Sequence, residues 1–171
     1  MEGDEKEMPV NEKEEKVYQF LENLDIPYTR HEHPPVYTVE EAKKYWESIE
    51  GAHCKNLFLR NSKGNRHFLV ILEESKKADL NEIAQKLGTG KLSFASARRL
   101  DNYLGLESGA VSPFGLINDK EKQVDIVLDK DLKKKEMINF HPNVNTSTIT
   151  LSFKDFERFL EACGNNVIYI N

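Results

Sequence analysis

The sequence predicts a single α/β domain of the α+β kind, with helices packed outside a mixed, mainly antiparallel sheet. Segments with helical spacing of apolar residues alternate irregularly with β-branched runs, and several of these runs follow one another through turns. The chain has 171 residues, of which 39% are apolar and 31% charged, enough for one sizeable core. We expect a disordered tail over residues 1–11, which are mostly charged, and one domain over residues 12–171.

Charge and composition exclude several classes of protein. The formal net charge of −5 disfavours a protein that binds DNA or long RNA through its phosphates, although a short RNA end remains compatible. No apolar run approaches the roughly 20 residues of a membrane helix, and the charged Met1–Glu7 lacks a signal peptide's apolar core. We therefore expect a cytoplasmic protein. The two cysteines, Cys54 and Cys163, match neither a disulfide scaffold nor a metal site.

The first elements are a helix and a short strand. Glu12–Leu24 has helical spacing, and Pro27 ends the helix. Tyr28–His31 is a candidate strand that leads into an extended loop over Glu32–Pro35. The inward face of the helix would consist of Val17, Phe20, Leu21 and Leu24.

A second helix and a β-hairpin follow. Thr38–Glu41 reads as a capping box, so a helix should begin there and run toward Gly51. Leu57–Arg60 and His67–Leu72 are two strands joined by the polar turn Asn61–Asn65. The second of these strands is apolar from Phe68 to Leu72, which predicts burial on both faces.

The middle of the chain combines two helices with a strand. Asp79 caps a helix that Gly88 ends. Leu92–Ala95 is a short strand, and Ser96 caps a helix that runs through Leu104. Glu107–Gly115 is irregular.

Three more strands and a last helix complete the chain. Val124–Leu128 alternates as a strand does, and two further strands enter and leave a polar corner at His141. Ser152 caps the last helix, which ends at Gly164, and Val167–Ile170 is the final strand.

Polar residues at three places beside apolar strands could carry chemistry. Lys55 and Asn56 lie at the mouth of the strand Leu57–Arg60, where an ammonium can reach a phosphate and an amide a ribose or carbonyl. In Gly109–Pro113, glycine permits unusual backbone geometry, so the loop could direct N–H groups at an oxyanion. Taken alone, each is more often a plain strand end or turn.

The third place is the corner at His141. Pro142 restricts the backbone of His141 to extended conformations, so the direction of the imidazole is set by the chain. Asn143 and Asn145 suit a turn and can hydrogen-bond backbone or ligand. An ordinary turn with a surface histidine is the alternative.

Other chemistries fit poorly. His31 and His33 would need a third metal ligand at a recognisable spacing, and none is present, so no metal site is expected. There is no Gly-x-Ser-x-Gly elbow. His53 and Cys54 are adjacent, and adjacent side chains of a strand point to opposite faces, which disfavours a thiol nucleophile.

Together, the runs Gly51–Leu59, Gly109–Pro113 and His141–Thr146 resemble the YbaK/prolyl-tRNA-synthetase-associated editing domain family, and most of all its free-standing ProX or PrdX type. Each run alone indicates the family only weakly, but the three in this order are specific to this family. The similarity extends from about Glu12 to the end of the chain, so residues 12–171 would be the editing domain, with a YbaK-like fold.

The resemblance implies a hydrolase that deacylates mischarged tRNA(Pro) at the ester of its 3′-terminal adenosine. The run His141–Thr146 and the loop Pro34–Thr38 resemble the branch that removes alanine, whereas the YbaK branch removes cysteine. Lys55, Gly109 and His141 would then be catalytic. Substrate-binding residues would be Asn56, Ala110, Val111, Ser112, Pro113, Asn143, Asn145 and Thr146.

Partners and substrate follow from the same resemblance. The acceptor end of tRNA(Pro) would be the partner, delivered by prolyl-tRNA synthetase or an elongation factor, with no membrane, DNA, metal or cofactor. Cys54 stands where the alanine branch is expected to have threonine, a residue of similar size, so we expect little effect on substrate choice. Two alternatives stay open, a Cys-tRNA(Pro) deacylase and a non-catalytic module that senses aminoacyl-tRNA or proline.

Overall fold

The computed structural model describes residues 11–36 and 38–171, whose strands form two sheets. The helices are α1 (Glu12–Asn23), α2 (Val39–Trp46), α3 (Leu80–Leu87), α4 (Ala97–Leu104) and α5 (Phe153–Cys163). The strands are β1 (Thr29–Glu32), β2 (Cys54–Asn61), β3 (His67–Glu73), β4 (Leu92–Phe94), β5 (Val124–Asp129), β6 (Met137–Phe140), β7 (Ser147–Ser152) and β8 (Val167–Ile170). Short 3-10 segments cover Ser108–Ala110, Pro113–Asn118 and Lys130–Lys134.

The smaller sheet has the order β1-β7-β6 and is antiparallel throughout. The larger sheet has the order β4-β2-β3-β5-β8, antiparallel from β4 to β3 and parallel from β3 to β8. The predicted fold class is confirmed, but the strands divide between two sheets instead of one. Strand pairing brings together distant segments, such as His31 opposite Thr148, and no local signal specifies it.

Local capping signals predicted most helix ends. The side chains of Asp79, Ser96 and Ser152 accept hydrogen bonds from backbone N–H groups at the starts of α3, α4 and α5. The same helices end at glycines in the left-handed conformation, as predicted. These C-capping residues are Gly88, Gly105 and Gly164.

Two element boundaries differ from the prediction by three residues or more. Helix α2 ends at Trp46, well before Gly51. Strand β2 begins at Cys54 instead of Leu57, because its first residues pair with the end of β3 despite their polarity. Lys55 and Asn56 therefore lie within the strand, not at its mouth. The tail expected to be disordered lies outside the described residues except for Asn11, which caps α1.

The core lies on both faces of the larger sheet. Six of the seven residues of β3 are buried, as its continuous apolar run predicted. On one face Leu69 and Ile71 pack with α1, α4, α5 and the smaller sheet. On the other, Phe68 and Val70 pack with α3 and β8. None of the helices in the described part of the chain is long and apolar enough to cross a membrane.

Candidate active site

The polar corner predicted at His141 is a turn between β6 and β7. Asn143 adopts φ of 65°, the left-handed conformation that asparagine tolerates better than most residues, and its side chain is buried. Nδ1 of His141 lies 2.9 Å from the carbonyl oxygen of Ser147, which closes the turn. A carbonyl only accepts, so Nδ1 carries the proton and Nε2 has the free lone pair in the neutral ring.

The environment of His141 favours the neutral imidazole. Burial lowers its pKa below the usual 6.5, and the charge that His33 can carry lowers it further, while the hydrogen bond to Ser147 opposes the shift. An uncharged ring with Nε2 as acceptor can receive a hydrogen bond from a water molecule or a hydroxyl group. It can therefore orient a nucleophile or a ribose without carrying charge.

A second histidine lies beside the first. The His33 ring centroid is 6.0 Å from that of His141, and the ring stacks on Tyr45 at 5.2 Å. Its Nδ1 donates to the carbonyl of Pro34, and its Nε2 lies 2.9 Å from Thr148 Oγ1. In the sequence, His33 is a candidate only for a metal ligand. Its place before Pro34, like that of His141 before Pro142, was the available signal.

A cavity of about 310 Å³ separates the turn after His141 from the loop that contains Gly109. It brings together five of the predicted site residues, which are Gly109, Ala110, Asn143, Asn145 and Thr146. Glu107 and Val144 also line these two sides, and the start of α1 contributes Asn11 and Lys13, which are not among the predicted site residues. Asn145 Nδ2 also approaches the carbonyl of Val36 at 3.4 Å, and Tyr37, the next residue of that loop, lies outside the described residues.

The Gly109 loop is shaped differently from the expectation. Gly109 is the middle residue of a 3-10 turn and has no positive φ, so it does not use the unusual geometry that only glycine permits. It nevertheless lines the cavity. Beyond it, Val111 is half-buried, and Ser112 Oγ accepts from the backbone N–H of Phe114. Pro113 is buried at the start of the next 3-10 segment.

Lys55 and Asn56 lie on the larger sheet and do not line this cavity. Lys55 Nζ donates to the carbonyl of Lys76 at 2.5 Å. The Oδ1 atom of Asn56 is buried without a hydrogen-bond partner in the described structure. Leaving a buried amide oxygen unpaired costs free energy. His141 is also absent from the lining, so the three predicted catalytic residues do not share this cavity.

Cysteine and metal chemistry have little support in the described residues. Burial raises the pKa of the Cys54 thiol, and the carboxylates of Glu73 and Asp129 raise it further, so the thiol stays protonated. Within residues 11–36 and 38–171, no three His, Cys, Asp or Glu side chains are grouped so as to hold a metal ion.

Comparison with known proteins gives a consistent result. Residues 33–159 match the model of the aminoacyl-tRNA editing domain. The prolyl-tRNA editing protein ProX of Acetoanaerobium sticklandii is 47% identical over 147 residues, which cover 85% of this chain and 88% of that protein. Prolyl-tRNA synthetase associated domain-containing protein 1 of Xenopus laevis is 35% identical over 156 residues, covering 89% and 92%.

The fold has also been observed before. A crystal structure of a proposed trans-editing enzyme for prolyl-tRNA synthetase superposes with a TM-score of 0.70. The superposition covers 94% of this chain and 98% of that one, at 19% sequence identity. At this identity the match supports the shared fold alone.

Proposed function

The chain belongs to the aminoacyl-tRNA editing domain family, and from this premise we propose that it deacylates mischarged tRNA(Pro), with Ala-tRNA(Pro) as its substrate. The observation that carries the proposal is 47% identity to a prolyl-tRNA editing protein over 85% of the chain. The reaction is hydrolysis of the ester between the amino acid and the 3′-terminal adenosine. We assign residues 12–171 to the editing domain.

The residues present suit this chemistry. An aminoacyl ester is already activated, so a site needs only to place water and stabilise the oxyanion, without a serine or cysteine nucleophile. In our assignment Lys55 binds the terminal phosphate or ribose, and Asn56 positions the ester. His141, uncharged and with Nε2 as acceptor, contacts the same end of the substrate.

The cavity supports four of the eight proposed substrate-binding residues, which are Ala110, Asn143, Asn145 and Thr146. Gly109–Pro113 would shape the amino-acid pocket, with backbone N–H groups near the scissile carbonyl. Across the cavity, Asn143, Asn145 and Thr146 would contact the amino acid or the ribose. Proline is larger than alanine, so a pocket wall can exclude the proline ring by steric clash and still accept alanine.

Delivery and location complete the proposal. With a net charge of −5 the protein would bind free tRNA weakly, so we propose that prolyl-tRNA synthetase or an elongation factor presents the acceptor end in the cytoplasm. A dissociation constant below about 1 μM for free tRNA at physiological salt would contradict this assignment.

The test is deacylation of Ala-tRNA(Pro), measured beside Cys-tRNA(Pro) and Pro-tRNA(Pro). Rapid loss of alanine alone supports the proposal. Rapid loss of cysteine instead favours the Cys-tRNA(Pro) deacylase. Binding of aminoacyl-tRNA without release from any of the three favours a sensing module and overturns the enzymatic assignment.

A further inference from the structure

We propose that Glu14, on the N-terminal helix α1, is a positioning residue that holds the His141 turn in its working conformation through Ser147. This inference rests on the proposed function, because it concerns the proposed catalytic His141. Glu14 lies outside residues 33–159, the part of the chain that matches the editing-domain model.

Glu14 is a buried carboxylate at the junction of three elements. Its side chain is 3% exposed, and its Oε2 accepts hydrogen bonds from three donors. The donors are Tyr18 Oη on α1 at 2.5 Å, Arg30 Nε on β1 at 3.1 Å and Ser147 Oγ on β7 at 2.8 Å. One oxygen atom therefore ties the helix to two strands of the smaller sheet.

Ser147 connects this carboxylate to the proposed site. Its hydroxyl donates to Glu14, while its carbonyl oxygen accepts the Nδ1 proton of His141. Ser147 is fully buried, so solvent does not replace either contact. The position of Ser147, and with it the tautomer and direction of the imidazole, depends on both hydrogen bonds.

A buried carboxylate at this place is not explained by stability alone. Desolvation of a charge is expensive, and an apolar residue of similar size often stabilises a buried position as well or better. The other buried residues of α1 are Val17, Tyr18 and Leu21, and the one polar group among their side chains, the Tyr18 hydroxyl, hydrogen-bonds Glu14 itself. Hydrogen bonds from Arg30, Tyr18 and Ser147 outweigh the effect of burial and lower the pKa of Glu14, so it remains ionised.

The start of the same helix also reaches the cavity. Asn11 and Lys13 line it together with Asn143, so α1 contributes both a wall and, through Glu14, an anchor for the turn. We infer that the N-terminal helix is part of the site and not merely packing on its outside.

The test uses Glu14→Gln, Ser147→Ala, the double variant, and Tyr18→Phe as a matched control. Tyr18→Phe removes another hydrogen bond to the same oxygen but leaves the Ser147 link intact. Ser147→Thr, which keeps a hydroxyl, serves as the conservative rescue. For each folded variant we would record the imidazole nitrogen and Nδ1–H resonances of His141 by NMR and the single-turnover rate of Ala-tRNA(Pro) deacylation.

We expect Glu14→Gln and Ser147→Ala each to shift the His141 resonances and slow turnover about tenfold, since small misplacements of a reacting group have effects of this order. The double variant should be no slower than the slower single variant, because each single substitution already breaks the same hydrogen bond between Glu14 and Ser147. Tyr18→Phe should lower the melting temperature without changing the His141 resonances. Ser147→Thr should give the same His141 resonances as the wild type.

Unchanged His141 resonances in both Glu14→Gln and Ser147→Ala would overturn the inference. So would equal changes in Tyr18→Phe, which would indicate general loosening of the fold. If Glu14→Gln does not fold, Ser147→Ala decides the matter alone. Failure of the proposed function is distinguishable, because the wild type would then release no amino acid while the NMR comparison would still report on the positioning.

Discussion

His141 donates its Nδ1 proton to the carbonyl oxygen of Ser147 over 2.9 Å, which leaves Nε2 as the nitrogen that can face a substrate. The two residues lie at opposite ends of one turn, so the same hydrogen bond closes the turn and selects the tautomer. The proposed role of His141 depends on this selection and on a ring that stays uncharged.

The first prediction concerns the pH dependence of the reaction. Burial lowers the pKa of His141 below 6.5, so its ring should remain neutral in the folded protein from about pH 8 down to 6.5. After subtraction of uncatalysed hydrolysis, we expect a flat single-turnover rate over this range and a fall only at lower pH. A fall centred at or above 6.5 that His141→Ala removes would contradict this.

The second prediction tests Lys55. Replacing it with alanine removes the positive charge proposed to bind the phosphate or ribose, and we expect turnover to fall at least about 100-fold, as for other preorganised electrostatic groups. Lys120→Ala, at an exposed lysine, is the control and should act like the wild type. Comparable rates for the two variants would remove Lys55 from the site.

The third prediction uses two glycines with different backbones. Gly109 lies in a 3-10 turn, a conformation that alanine also adopts, so Gly109→Ala should fold with stability within about 1 kcal/mol of the wild type. Because Gly109 lines the cavity, the same substitution should slow deacylation. Gly88 has φ of 68° with open space around it, so Gly88→Ala should lose about 1 kcal/mol and keep full activity. Denaturant unfolding and deacylation rates together check this, and full activity of Gly109→Ala would argue against its place in the pocket.

A fourth prediction concerns stability at low pH. His67 Nε2 accepts from Arg99 at 3.0 Å, and burial, with the charges of Arg99 and Arg60, lowers its pKa to about 4. Between 6.5 and 4 the unfolded chain binds a proton that the folded protein excludes, so stability falls as the pH falls, by about 3 kcal/mol at most.

The comparison for this prediction is His67→Gln, which keeps an acceptor but does not titrate. The free energies of unfolding of the two proteins should converge as the pH drops from about 7 to about 4.5. Parallel curves would show that His67 does not contribute to the acid sensitivity.

The fifth prediction concerns the source of the general base. A base on the protein, such as the neutral imidazole of His141, is one source, and the vicinal 2′-hydroxyl of the terminal ribose, which could help deliver the water, is the other. Substituting hydrogen for that hydroxyl in Ala-tRNA(Pro) should then abolish turnover, while binding measured by competition stays the same. An unchanged rate would place the base on the protein.

The sequence by itself determined the local elements and the family. Capping residues such as Ser152, glycine stops such as Gly164 and the apolar run of β3 act within a few neighbouring residues, so their effects were readable in order. The Gly109 and Asn143 segments were also recognised, although nothing local indicated that they would face each other across one cavity.

The tertiary structure alone decided how distant segments combine. It divided the strands between two sheets, placed Lys55 within β2, and brought Glu14 against Ser147, 133 residues later in the chain. Glu14 reads as a solvent-facing charge because all four of its nearest neighbours in the sequence, two on each side, are charged too. Only the folded protein supplies Arg30, Tyr18 and Ser147 as donors, and burial of this carboxylate is favourable only when all its partners have been assembled.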